Sequence, residues 1–167
     1  MSMRGCRAVA IGFACVPAAL VVAWKLFEAW HFAGVVPAAI GIDYPIAIDG
    51  ISDFREGCGM AVFRIDAATK RDIRSRGLAF FKDAGHSRKA NDAYHTFSSW
   101  HSTPDPAWAD DDQTLLSPGL ECAKLDGGLR TQLENAARTA GAYYAYGPEK
   151  ALLVVPELGI VALSYNG

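Results

Sequence analysis

The hydrophobic pattern opens with an uncharged run from Ala8 to Trp24, AVAIGFACVPAALVVAW. At about 17 residues it reaches the lower limit for a helix crossing a hydrocarbon core of roughly 30 Å. Leu26 and Phe27 extend the apolar stretch if Lys25 reaches its charged tip towards the headgroups, where the rings of Trp24 and Trp30 also favour lying. Pro17 is tolerated in such a helix as a kink. Arg4 and Arg7 precede the run, whereas Lys25 on the far side is offset by Glu28 and no further cation comes before Arg55. The positive-inside rule then predicts a cytoplasmic N-terminus and a domain on the outer face of a bacterial-type inner membrane, a periplasmic placement with a single pass. The competing reading is a secretory signal, with Val21-Val22-Ala23 as a small-residue site and cleavage after Ala23. Cys15 does not make a lipoprotein site, because Gly12-Phe13-Ala14 lacks a branched residue three before it.

Residues 29–52 are apolar but broken by Pro37, Gly41, Pro45 and Gly50, which predicts a connector, with Ile46–Ile51 available as an edge strand. The division expected is therefore an anchor over 1–28, this connector, and an envelope-facing domain over 53–167. Cys58 to Ile65 alternates as a strand, with Phe63 and Ile65 on its inner face. Asp66 caps a predicted helix from Ala67 to about Ala84, ended by Gly85, with Ile73, Gly77, Phe80, Phe81 and Ala84 as the buried stripe. A second helix is predicted from Gly127 to Ala140, capped by Asp126 and buried through Leu129, Leu133, Ala136, Ala137 and Ala140. Three apolar runs follow, Ala142–Tyr146, Ala151–Val155 and Ile160–Tyr165, and the turn residues between them predict an antiparallel meander. The fold class expected is α+β, in the order β-α-loop-α-β-β-β, with two helices packed on one face of a small antiparallel sheet.

Charge excludes one class of function. The net charge is −2, and residues 43–167 carry 13 Lys and Arg against 17 Asp and Glu, so no nucleic-acid partner is expected. Within this acidic domain residues 70–89 are net +5, which marks Lys70, Arg71 and Arg74 as candidates for contact with anionic headgroups or an acidic partner, the solvated face of a helix being the plain alternative. In an oxidising compartment Cys58 and Cys122 can close a loop of about 64 residues, worth perhaps 4 kcal/mol, and that disulfide is predicted.

The irregular stretch from His86 to Glu121 holds three histidines, Asp92, Asp105 and Asp110–Asp112, with Tyr94, Phe97, Trp100 and Trp108 interleaved. His95, His101 and Asp105 are the candidates for an imidazole and carboxylate metal site. Their spacing matches no short metal motif, so neither metal nor cofactor is assigned. Ser98, Ser99 and Ser102 near His101 are raw material for a hydrolase, but no nucleophile elbow and no phosphate-binding glycine loop accompanies them. Trp100 and Trp108 beside charge read either as interface hot spots or as anchors of the loop to the core. No stretch is specific enough to suggest a family. The expectation is a non-catalytic, membrane-anchored envelope protein, held in the membrane through residues 8–24 and contacting a protein partner as an accessory subunit or an immunity-type protein. A tethered hydrolase or metal enzyme, and a small-molecule or lipid-binding domain with an apolar pocket between sheet and helices, are the alternatives.

Overall fold

A computed structural model describes residues 4–52, 56–90, 92–108 and 111–167, with side chains from Pro17 onward apart from Ser52. Arg55 and Asp110 lie outside the described residues, as do the side chains of Arg4, Arg7 and Cys15.

Helix α1 runs from Arg4 to Val35, well past Trp24, because nothing between Trp24 and Val35 breaks it. Its stretch Pro17–Val35 is long and apolar enough to cross a membrane. The chain then turns at Pro37, and Val36 and Ile40 are fully buried. Strand β1, Ile42–Ser52, follows directly and pairs with β2, Gly57–Ile65, along its length. Residues 36–52 are therefore part of the domain rather than a connector, and the edge strand begins at Ile42, not Ile46. Pro45 fits there because an edge position leaves one side of the strand without ladder bonds.

After β2, Asp66 caps α2, Ala67–Arg76, by accepting from the Thr69 amide at 2.6 Å. The predicted helix to Ala84 stops early. Gly77 takes φ +56°, a conformation that ends the α-helix, and Gly77–Asp83 continues as a 3-10 helix that still buries Phe80 and Phe81. The irregular stretch contains a two-residue strand β3, His101–Ser102, a six-residue helix α3, Ser117–Cys122, and 3-10 turns at Ala93–His95 and Pro106–Trp108. Helix α4, Gly127–Arg138, is capped by Asp126 as expected and ends two residues earlier than predicted. The meander forms as predicted from β4, Tyr143–Gly147, β5, Lys150–Val155, and β6, Ile160–Asn166.

The six strands make one antiparallel sheet in the order β1-β2-β6-β5-β4-β3. Helices lie on both of its faces, which corrects the expected packing on one. Met60, Val62, Leu153, Ala162 and Tyr144 face α3 and α4 through Leu120, Leu133 and Ala137. Ala61, Phe63, Leu152, Val161 and Leu163 face the layer of α2 and the 3-10 helix through Ile73, Phe80 and Phe81. A strand buried on both faces reads as a continuous apolar run rather than an alternation, and ALLVV in β5 and IVAL in β6 are such runs. Cys58 on β2 and Cys122 at the end of α3 stand at disulfide-bonding distance, with Cα atoms 5.7 Å apart, and join the sheet to the α3 layer.

Candidate functional site

A cavity of about 510 Å³ lies in the angle between α1 and one end of the sheet. From Glu28 onward α1 is half-buried against the domain, so Glu28, His31, Phe32 and Val35, at the i, i+3, i+4, i+7 spacing of one helix face, supply one wall. Ile48, Asp49 and Gly50 of β1 with Leu163 and Tyr165 of β6 supply the other. The Tyr165 ring stacks on Phe32 at 4.9 Å between centroids, and its hydroxyl lies across the paired glycines Gly50 and Gly59, where a Cβ would collide with it. Glu149 and Lys150 with Lys89, Tyr94 and His95 close the remaining side, and Glu149 adopts φ +55°, uncommon for a residue with a side chain.

Charges of both signs surround this apolar floor. Lys25 and Glu28 pair at 2.8 Å on α1, and Lys89 Nζ stands 3.3 Å from His31 Nδ1. Lys150 donates to the Tyr94 and Pro148 carbonyls and lies 4.0 Å from the Tyr94 ring centre; burial pushes its ammonium pKa down. Tyr94 donates to Glu149 at 3.0 Å, and burial, reinforced by that carboxylate, raises its phenol pKa. The Tyr165 phenol is raised by burial, with the charges of Glu28 and Asp49 adding to the effect.

Of the candidate site residues singled out from the sequence, His95 alone lines this cavity. Trp100 is 7% exposed, stacks on Phe81 at 4.4 Å and donates to the Ala84 carbonyl; Trp108 is equally buried against Tyr144. Both tryptophans anchor the irregular stretch to the two cores and offer no surface to a partner. Lys70 donates to the Glu157 carbonyl and Arg74 pairs with the Glu157 carboxylate at 2.6 Å, so two of the three basic candidates hold the β5–β6 turn, while Arg71 is exposed. Arg88, counted in the basic stretch, instead donates to the carbonyls of Val36, Pro37 and Ile40.

His95 stands on Asp92 at 2.7 Å, whereas His101 lies on the edge strand β3 and stacks on Tyr144. Asp105 accepts from the Tyr144 hydroxyl at 2.5 Å and from the Ala107 amide. Among the described residues no group of three His, Cys, Asp or Glu could hold a metal ion, and no serine hydroxyl bonds a histidine. The space between sheet and helices is filled by core side chains, so the cavity is not the interior pocket considered above. His31, Lys89, Tyr94, Glu149 and Tyr165 were missed by sequence reasoning. One signal was present: the one-face spacing of Glu28, Phe32 and Val35, which says that α1 continues beyond Trp24 and packs on something.

Fold and cavity together define the class: a mixed α+β domain, an antiparallel sheet between helical layers, continuous with an apolar N-terminal helix. Compared with protein families, curated proteins and solved structures, the chain matches none.

Proposed function

We propose that this chain is a single-pass, membrane-anchored envelope protein that acts without catalysing a reaction, by contacting a partner protein through the outer edge of β1. The membrane reading is supported by the exposed apolar residues Leu20, Val21, Val22, Trp24, Leu26 and Phe27 on the free part of α1. It is supported further by the Lys25–Glu28 pair, which cancels the one cation between the Ala8–Trp24 run and Arg55 and leaves the N-terminal arginines to set orientation. The domain then faces the periplasm, and accessory subunit and immunity-type protein are both compatible with that placement.

The observation that carries the contact is β1 itself. Among the described residues no strand pairs with its outer edge, and Tyr44, Ile46 and Ile51 are 54%, 39% and 60% exposed. Pro45 and the register shifts around it blunt the first half of this edge, as edge strands commonly are blunted. Ala47–Ser52 is regular, with backbone groups available to an added strand from a partner, with Ile46 just before it and Ile51 within it.

The basic face is a weaker candidate. Lys70 and Arg74 belong to the end of the sheet that carries the β5–β6 turn, opposite the end where α1 departs, so they point away from anionic headgroups. A photoreactive residue in place of Tyr44, Ile46 or Ile51, in cells of the native host, is expected to capture one protein, and Ala47→Pro is expected to abolish the adduct. The same adduct from Arg71, or none from the edge positions, would overturn the reading.

A further inference from the structure

We propose that the cavity between α1 and the sheet binds the headgroup of a zwitterionic phospholipid, a phosphodiester joined to an ammonium, taken laterally from the leaflet in which α1 is anchored. The inference rests on the membrane reading of α1, and three observations carry it further.

Position comes first. The cavity is bordered by Trp24 and Phe27, exposed apolar positions just before Glu28, where α1 meets the domain, so its mouth lies at headgroup depth. A lipid can leave its acyl chains against the exposed helix face of Val21 and Trp24 while its headgroup enters between α1 and β1.

Composition comes second. Phe32, Val35, Ile48 and Leu163 give an apolar floor, and about 510 Å³ is within the usual range for small-ligand sites. The rim carries Lys25, Lys89 and Lys150 against Glu28, Glu56 and Glu149. Three cations facing three carboxylates make a balanced rim, which suits a headgroup of both signs better than a purely anionic one.

The distribution of those charges comes third. Lys25 is paired with Glu28, and Lys150 is held by two carbonyls. Lys89 faces His31 instead of a carboxylate, so this pair is the place for the phosphate. Glu56, just before β2, lines the same cavity and is the carboxylate that would hold an ammonium, whereas the Asp49 carboxylate accepts from the Lys124 amide on the other face of the sheet. The Glu149 backbone at φ +55° and its bond to Tyr94 fix the opposite wall, so the cavity is built before any ligand arrives.

The test uses the full chain in nanodiscs containing phosphatidylethanolamine and phosphatidylglycerol, followed by native mass spectrometry of the lipid retained after transfer to detergent. The wild-type chain is expected to retain one phosphatidylethanolamine. Lys89→Ala, which removes one charged hydrogen bond, is expected to lower retention about tenfold. Ile48→Trp, which fills the floor, should do the same, with thermal unfolding of both variants matching the wild type. Equal retention by all three chains, or preference for phosphatidylglycerol, would overturn the site. Displacement of the retained lipid by soluble phosphoethanolamine would keep the headgroup chemistry and overturn the leaflet as its source. A chain that enters the nanodiscs but keeps no lipid fails this inference alone, whereas a chain that does not enter them overturns the membrane reading and the inference with it.

Discussion

Arg88 donates through Nε and Nη2 to three carbonyls, those of Val36, Pro37 and Ile40, at 3.0, 3.3 and 2.7 Å, and burial pushes its pKa down. It pins the turn that carries the chain from α1 into β1. Removing it leaves the Ile40 carbonyl without its donor in a half-buried place, while the Val36 and Pro37 carbonyls keep the Arg88 and Ile40 amides, so Arg88→Ala is expected to lower stability by about 1 to 3 kcal/mol in denaturant unfolding. Arg71→Ala, from the same basic stretch but exposed, is expected to stay within about 0.5 kcal/mol of the wild type. Net charge along the sequence cannot separate these two arginines, since the difference between them is the direction of a side chain. The Asp105–Tyr144 bond offers a test by pH. The Tyr144 hydroxyl, then the Ala107 amide and the charge of His101, hold the Asp105 carboxyl below its usual range. A depressed carboxyl contributes stability above its unfolded pKa, about 3.9, and loses it as pH falls through the lower folded value. Tyr144 is shifted up, first by burial and then by Asp105, and contributes below about pH 10, losing that contribution as pH rises further. The advantage of the wild type over Asp105→Asn is expected to be flat across neutral pH and to shrink below about pH 4; an advantage that persists there would contradict the account.

At the scale of elements, capping and turn residues were the most legible part of the chain. Asp66 and Asp126 accept from the amides of the helices they were expected to start, and the three C-terminal strands pair in the order their turn residues implied. Two errors have physical causes. The apolar stripe from Ile73 to Ala84 does not distinguish an α-helix from an α-helix continued as a 3-10 turn, and the break is made by one backbone conformation at Gly77. Gly77→Ala forces a side chain into that conformation and is expected to cost more than about 1 kcal/mol, although an alanine would raise helix propensity. Likewise, alternation in β2 was read as one inner face, whereas the unbroken apolar runs of β5 and β6 already implied burial on both. The Cys58–Cys122 pair joins two of these layers across 64 residues. A non-reducing peptide map is expected to recover the two cysteines in one linked peptide, and replacing both by alanine is expected to lower stability by up to about 4 kcal/mol. Spacing alone could not bring them together; packing of α3 on β2 at the Gly59–Gly119 approach does.

For the whole molecule the decisive feature is that α1 ends inside the domain it carries. Composition placed a boundary near residue 53, because Pro37, Gly41, Pro45 and Gly50 look like the punctuation of a linker. In the fold the same residues turn the chain and shape an edge strand, while Val36 and Ile40 between them are fully buried. A fragment of residues 28–167 keeps Phe32 on Tyr165, both buried aliphatics and all of β1. It is expected to be soluble and to unfold cooperatively. A fragment of residues 53–167 loses the whole of β1 and exposes the edge of β2. It also loses two aliphatic side chains, worth about 1.5 to 3 kcal/mol each by burial, a large share of a total stability near 5 to 15 kcal/mol. That shorter fragment is expected to aggregate or to lack a cooperative transition. If it unfolded at the same midpoint as residues 28–167, residues 29–52 would be a connector after all, and both the cavity and the proposed contact edge would lose the rigid join between helix and sheet on which they depend.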